Sequence, residues 1–285
     1  MNETPVLGVI GGSGLYELPG LTNVQMVHPE TPYGKASAPI VRGQLDGKPV
    51  AFLARHGIGH IYNPTEINYR ANIYSLKLVG VKNVVSISAC GSLREDFAPG
   101  EIVIPDQLVD FTRGRERTFF EGGLVAHVGA ADPFCPNMRQ IARNALSSTG
   151  ATVHYGGTLI TVEGPRFSTR AESNLYRSWG ISIIGMTTSP EAYLAREAEL
   201  CYCSIAHVTD YDVWHVSEAP VSVEMVVRTL AKNTEVARQS IRNMVQDAGL
   251  SAACSCQIAM ADAVITQPGA ITESAKQRLG ILYKH

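Results

Sequence analysis

The sequence predicts an α/β fold: one large domain in which helices flank a mainly parallel central sheet. Three observations predict it. Short β-branched runs bounded by Gly or Pro recur along the chain, and stretches with helical apolar spacing separate them. Several of the runs are apolar on both faces, as a sheet covered by helices requires. Strand–helix alternation of this kind produces parallel neighbours.

In chain order, strands are expected at 5–10 (PVLGVI), 49–54 (PVAFLA), 82–88 (KNVVSIS), 101–105 (EIVIP), 157–162 (GTLITV), 181–186 (ISIIGM) and 200–208 (LCYCSIAHV). Each is too short for a helix and rich in strand formers. After the second strand, Ile67, Ala71, Tyr74 and Leu78 share a helical face that stops at Gly80. Met138, Ile141, Ala142, Ala145 and Leu146 repeat the pattern before Gly150. The longest helix is expected from near Ser222, with a stripe of Val223, Val226, Leu230, Ala237, Ile241 and Met244 and a stop at Gly249. The domain is thus read as 1–249. Residues 250–285 are less patterned and read as an extension docked on the core or on a neighbouring subunit.

The chain has 285 residues, 45% hydrophobic and 18% charged, with a formal net charge of −2. That balance argues against a nucleic-acid or membrane-surface protein, both of which need a basic excess. No apolar run approaches the ~18–20 residues of a membrane span. MNETPVLGVIGGSG lacks the basic start and long apolar stretch of a signal peptide. A cytoplasmic protein is expected. The six cysteines show no four-ligand zinc spacing, so no metal is expected and inert thiols are, with Cys254-Ser255-Cys256 standing out in the polar tail.

Ligands in open α/β folds bind beyond the carboxyl ends of strands, and those ends are chemically marked here. The first runs into Gly11-Gly12-Ser13-Gly14, where backbone N–H groups can approach an anion and Ser13 adds a hydroxyl. The spacing is not G-x-G-x-x-G, and no Walker lysine follows. The second ends in Arg55-His56-Gly57, a pair suited to an oxyanion with several acceptor oxygens. The third carries Ser88-Ala89-Cys90-Gly91-Ser92, and a later one Gly185-Met186-Thr187-Thr188. Together they point to an inorganic phosphate site without a nucleotide loop. The last strand runs into TDYDVW, where Asp210 and Asp212 stand two residues apart.

The ordered blocks GVIGGSGLY, FLARHG, NPTEINYRANI, SACGSLRED, PGEIVIPDQLVDFT, DPFCP, VEGPRFSTRAE, GMTTSPEA and VTDYDVW resemble the methylthioadenosine phosphorylases, a branch of the trimeric purine nucleoside phosphorylase family. The resemblance covers roughly residues 5 to 248. It implies a single-domain purine nucleoside phosphorylase-like fold with a mixed, partly barrel-like sheet, assembled as a homotrimer or a dimer of trimers. It implies a pentosyltransferase that needs no cofactor, with inorganic phosphate as co-substrate. By motif, Ser13, Arg55, His56, Ser88, Ala89 (through its backbone) and Thr187 would hold phosphate. Met186 would lie against the ribose, Phe167 near the base, and Ser168 would contribute to base selection. Glu163 and Arg166 read as ligand contacts or as structural supports.

Breaking a purine nucleoside's C1′–N9 bond builds negative charge on the base, which an acid at N7 relieves. Burial and a second carboxylate raise a carboxyl's pKa toward that task. Asp210 and Asp212 lie on one side if the strand continues through Tyr211, with Asp210 as the N7 partner and Asp212 its helper. An ionised Asp accepts from a 6-amino group and is repelled by a 6-oxo oxygen, a mismatch of about 1–3 kcal/mol or more. The family's 6-oxo-purine enzymes carry Asn there, so the pair points to adenine. Val223 would replace their 5′-hydroxyl-binding His and face a methylthio group. His127 resembles the residue by which a neighbouring subunit closes the pocket. Alternatives are a methylthioinosine or broader purine nucleoside phosphorylase, a hydrolytic nucleosidase, and a nucleotide-binding module or NAD-dependent oxidoreductase drawn from GGSG.

Overall fold

Every residue of β1 (Leu7–Gly11) is buried, and the strand lies between β4 (Lys48–Ala54) and β5 (Asn83–Ser92), parallel to both. The structure is a computed structural model that describes residues 3–13, 15, 17–215 and 223–283, without the side chains of 223, 225–228 and 230–232. On the far side of β4, β3 (Ile40–Leu45) and β2 (Thr22–Val27) add an antiparallel meander. The β3–β4 turn is Asp46-Gly47, both with positive φ, as a tight two-residue hairpin needs.

β5 is long enough to hold three neighbours. On one edge β11 (Cys201–Asp210) runs parallel to it from Asn83 to Gly91. On the other, β1 ends its pairing at Ile87 and β10 (Ile183–Gly185) begins antiparallel pairing at Gly91. Residues 88–90 therefore lack a strand neighbour on that edge. Beyond β10 the sheet continues through β9 (Thr158–Val162) to β7 (Gln107–Phe111), while β6 (Ile102–Ile104) and β8 (Val153–Tyr155) extend it past β11. The eleven-stranded sheet branches at β5 and is not closed. Six of its ten pairings are parallel and four antiparallel. It is thus mixed, as the resemblance implies, rather than mainly parallel as alternation alone suggests.

Helix α1 (Tyr69–Leu78) starts on the side-chain cap of Asn68, and Gly80 beyond its end has φ +89°. Cys135 caps α2 (Pro136–Ser147), with Pro136 in the first turn. A reciprocal Thr169–Glu172 capping box opens α3 (Arg170–Ser178). α4 (Thr188–Glu197) follows β10, and α5 (Val223–Val245) is the longest helix. α5 stops at Val245, short of Gly249. That glycine sits in a 3-10 turn where its N–H donates to the Asp247 carboxylate. Ser222 and the stripe side chains Val223, Val226 and Leu230 lie outside the described residues. Ala237, Ile241 and Met244 are buried against α2 and β1 neighbours.

In the tail, α6 (Glu273–Leu279) places Ala275 and Leu279 in the same apolar cluster as Tyr74 and Phe119. No helix among the described residues is long and apolar enough to cross a membrane.

Candidate active site

A cavity of about 940 Å³ opens where β1, β4, β5, β10 and β11 end. Four of these strands reach it because β4, β1, β5 and β11 all run in the same direction. β10 runs the other way, yet it pairs only with the last residues of β5, so its own end also comes to Ala89 and Cys90. Close backbone approach is needed here. A Cβ on Gly12 would lie 2.5 Å from the Ile87 carbonyl and 2.7 Å from Arg55 Nη1.

Ser13, Arg55, His56, Ser88, Ala89 and Thr187 all line this cavity. Arg55 is 1% exposed, and most of its donors are already engaged. Nε and Nη2 form a bidentate pair with Glu191 (2.7 and 2.9 Å), Nη2 also donates to Ser86 Oγ, and Nη1 to the Ile87 carbonyl. Burial works against its charge, but the Glu191 carboxylate outweighs that and holds Arg55 above its usual range. Of five N–H groups, four are taken among the described residues and one on Nη1 remains for a ligand. Arg55 thus acts as an anchored charge rather than a two-pronged clamp.

His56 donates from Nδ1 to the Tyr62 carbonyl at 2.9 Å and stacks on His60. Burial, and next the Arg55 charge, lowers its pKa to about 4. The ring is therefore neutral near pH 7 and presents Nε2 as an acceptor, suited to a protonated phosphate oxygen. Thr187 is the N-cap residue of α4, yet its side chain makes no capping bond, so its hydroxyl is available to a ligand. Among the described residues, Ser88 has only a long contact, 3.5 Å, to Ser204.

Asp210 and Asp212 line the same cavity, both 6% exposed. β11 ends at Asp210, and Asp212 has φ +50°. The strand does not continue through Tyr211, so alternation along a strand is not what brings the carboxylates together. A turn does, closed by the Asp212 N–H donating to Asp210 Oδ1 at 2.8 Å. Trp214 locks that turn by donating from Nε1 to the Ser92 carbonyl, with the Arg177 guanidinium 3.3 Å over its ring. Asp210 Oδ2 lies 2.6 Å from Thr209 Oγ1, which also reaches the Cys90 carbonyl at 3.2 Å.

Burial, helped by the Asp212 charge, raises Asp210 to about 6 despite the Thr209 and Asp212 N–H contacts. Burial raises Asp212 as well; nearby Ser173 and Ser168 hydroxyls oppose this, yet Asp212 Oδ2 has no hydrogen-bond partner among the described residues. Asp212 itself lines the cavity, and a buried carboxylate oxygen without a partner among the described residues suits a polar N–H.

Met186, Phe167 and Ser168 also line the cavity. Val223 opens α5, but its side chain lies outside the described residues, as does Gly14. His127 is not on this cavity. It sits on an exposed segment whose backbone bonds to Ala263 in the tail. Glu163 is a support: it accepts from Thr65, Arg115 and the Arg113 and Gly114 N–H groups. Arg166 is spent on an exposed pair with Glu172.

Two residues that matter were not singled out by sequence. Glu191 neutralises Arg55 from 136 positions away. Buried Arg115 ties Glu163 to Tyr69 and the Ser189 carbonyl. Their spacing carries no local signal. Thr209, beside Asp210 in TDYD, was readable as a hydroxyl next to a carboxyl.

Residues 6–246 match the model of the phosphorylase superfamily. The chain is 52% identical over 278 residues to the S-methyl-5′-thioadenosine phosphorylase of Geobacter sulfurreducens, covering 97% of each chain. It is 50% identical to that of Chloroflexus aurantiacus, covering 97% of this chain and 96% of the relative. Among solved structures it is similar to a methylthioadenosine phosphorylase from an antarctic soil metagenomic library, with TM-score 0.93, 45% identity and 99% of each chain covered. It is also similar to the Schistosoma mansoni methylthioadenosine phosphorylase in complex with adenine, with TM-score 0.82, 38% identity, and 85% of this chain and 91% of that one covered. With the cavity built at its strand ends and a match that spans most of its length, this chain belongs to the phosphorylase superfamily.

Proposed function

We propose that this chain catalyses the reversible phosphorolysis of S-methyl-5′-thioadenosine to adenine and 5-methylthioribose 1-phosphate. The observation that carries the reading is the spacing of two chemistries along β5. Ser88 belongs to the hydroxyl-rich end, and a Cβ on Gly91 would lie 2.9 Å from Asp210 Oδ1. Three residues of strand, roughly 10 Å, separate them, which is room for a ribose between a phosphate and a base. Relatives named for this activity support the choice of nucleoside, one of them crystallised with adenine.

Ser13, Ser88, Thr187, the Ala89 backbone and the remaining Arg55 N–H hold phosphate, and His56 Nε2 accepts a hydrogen bond from its protonated oxygen. As the C1′–N9 bond breaks, its electron pair goes to the purine and the ribosyl group becomes cation-like. A phosphate oxygen then bonds to C1′. Asp210 donates a proton to N7, for which a pKa raised to about 6 equips it. Asp212 accepts from the 6-amino group. Met186 packs on the ribose, Phe167 and Ser168 border the base, and Val223 faces the methylthio group.

Phosphate is the co-substrate, and no cofactor takes part. Three copies form the working assembly, with His127 of a neighbouring copy closing each pocket, and the enzyme works in the cytoplasm. The test is adenine release from methylthioadenosine with and without phosphate, with methylthioinosine as competitor. Phosphate-dependent adenine release with little hypoxanthine is expected. Release without phosphate would favour a nucleosidase, and a preference for methylthioinosine would overturn the reading of the Asp pair.

A further inference from the structure

Four of the six cysteines converge on one point. The Sγ atoms of Cys135, Cys201, Cys254 and Cys256 all lie within 4.8 Å of one another, and three of these residues are buried. They arrive from separate places: the N-cap of α2, the first residue of β11, and the tail around a 3-10 turn at Ser255–Ile258. Gaps of 66 and 53 positions explain why no ligand spacing shows in the sequence. We propose that these thiols form a structural site for a thiophilic divalent cation, zinc by preference, which fastens residues 250–285 to the core.

The geometry is close to what the ion needs. Four thiolates at about 2.3 Å in a tetrahedron stand about 3.8 Å from one another. Cys135 and Cys254 are 3.6 Å apart and no pair is more than 4.8 Å apart, so the longest separation need shorten by only about 1 Å. Two sulfurs already accept hydrogen bonds that favour a thiolate. Arg196 Nη1 donates to Cys256 Sγ at 3.5 Å, and the Met138 N–H donates to Cys135 Sγ at 3.5 Å at the start of α2. On binding, four thiol protons leave to solvent and the metal–tetrathiolate carries two negative charges, which Arg196 partly offsets. Arg196 is itself oriented by donating from Nε to the Gly129 carbonyl, as an outer partner of a metal ligand should be. Cys135, Cys201 and Cys256 belong to the same buried apolar cluster as Met138, Ile141 and Leu250, and Cys254 packs against it half-buried.

None of the four lines the catalytic cavity, so the site is independent of the proposed reaction. Its effect is on the tail, where Val264 bridges to Ala126 and the Ala263 carbonyl accepts from the His127 N–H.

The test uses the full chain, purified without chelator, with zinc measured by elemental analysis and cobalt(II) added to chelator-treated protein. One zinc per chain is expected, along with the visible bands of tetrahedral cobalt thiolate. Cys254→Ser should abolish both, Cys203→Ala should leave both, and Arg196→Gln should weaken zinc binding by roughly 10- to 100-fold. Chelation should speed proteolysis of the tail. Absence of stoichiometric zinc and of cobalt thiolate bands, with all six thiols titrating as free, would overturn the proposal. So would an intact mass short of two or four hydrogens, which would mean that the cluster holds disulfides.

Discussion

Replacing Asp210 with Asn removes one ionisable group while keeping the bonds that hold the side chain. The amide oxygen can still accept from the Asp212 N–H, and the amide NH₂ can donate to Thr209 Oγ1, which turns its own proton to the Cys90 carbonyl. The variant should therefore fold. Holding this carboxyl at about 6 instead of 3.8 penalises its ionised form by about 3 kcal/mol. The sign follows from proton counting. Between pH 3.8 and about 6 the native state binds more protons than the unfolded chain, so wild-type stability falls as pH rises through that window. Asp210→Asn should match wild type below pH 4 and exceed it by up to about 3 kcal/mol above pH 7. Its kcat/KM for methylthioadenosine should drop roughly 10²- to 10⁴-fold, the usual worth of a positioned acid. Urea unfolding at pH 4 and pH 8, with phosphorolysis assayed on the same samples, measures both. A difference between variant and wild type that is the same at the two pH values would show that the carboxylate is not desolvated. Activity within a factor of about three of wild type would remove Asp210 from the proton-donor role.

Glu191→Gln leaves the Arg55 charge buried without its counter-ion and should destabilise the chain by about 3–5 kcal/mol in urea unfolding; a loss below about 1 kcal/mol would refute the pairing argument. Glu197 is buried and its carboxyl is raised to about 7, chiefly by burial. Wild-type stability should consequently decline by about 3 kcal/mol from pH 4.5 to pH 7 on its account. Glu197→Gln should flatten that decline, and unchanged pH dependence would count against it. Thr187→Val deletes a hydroxyl that caps nothing. The KM for phosphate should rise roughly 10- to 100-fold, as for a lost hydrogen bond to a charged group, with the methylthioadenosine KM little changed. An unaltered phosphate KM would place the anion elsewhere.

Much of the candidate site was legible because its chemistry sits at the ends of apolar runs, within the last residues of β5 and β11 or directly after β1, β4 and β10, where local pattern is strongest. The runs at β1, β4, β5, β10 and β11 are apolar and β-branched. The residues at their ends name the donors and acids without any need for tertiary contacts. Elements that bury little were not legible. β2 is exposed along nearly its whole length and α3 buries only Ser173 and Tyr176, so neither carries a long apolar run. Only the Asp46-Gly47 dipeptide marks β3 in the sequence, as the turn that joins it to β4.

Only the tertiary structure decided how the marked residues are used. Arg55 reads in the sequence as an oxyanion ligand beside His56, and in the fold Glu191 and two neighbours in β5 take most of its N–H groups. The Asp pair reads as strand alternation, but a left-handed turn at Asp212 joins it. The four cysteines read as scattered thiols until β11, α2 and the tail pack together. Periodicity is a local property of the chain, set by which face of each element meets water. Partnership between groups dozens or hundreds of residues apart depends on the packing of the whole sheet, whose free energy no single stretch of sequence contains.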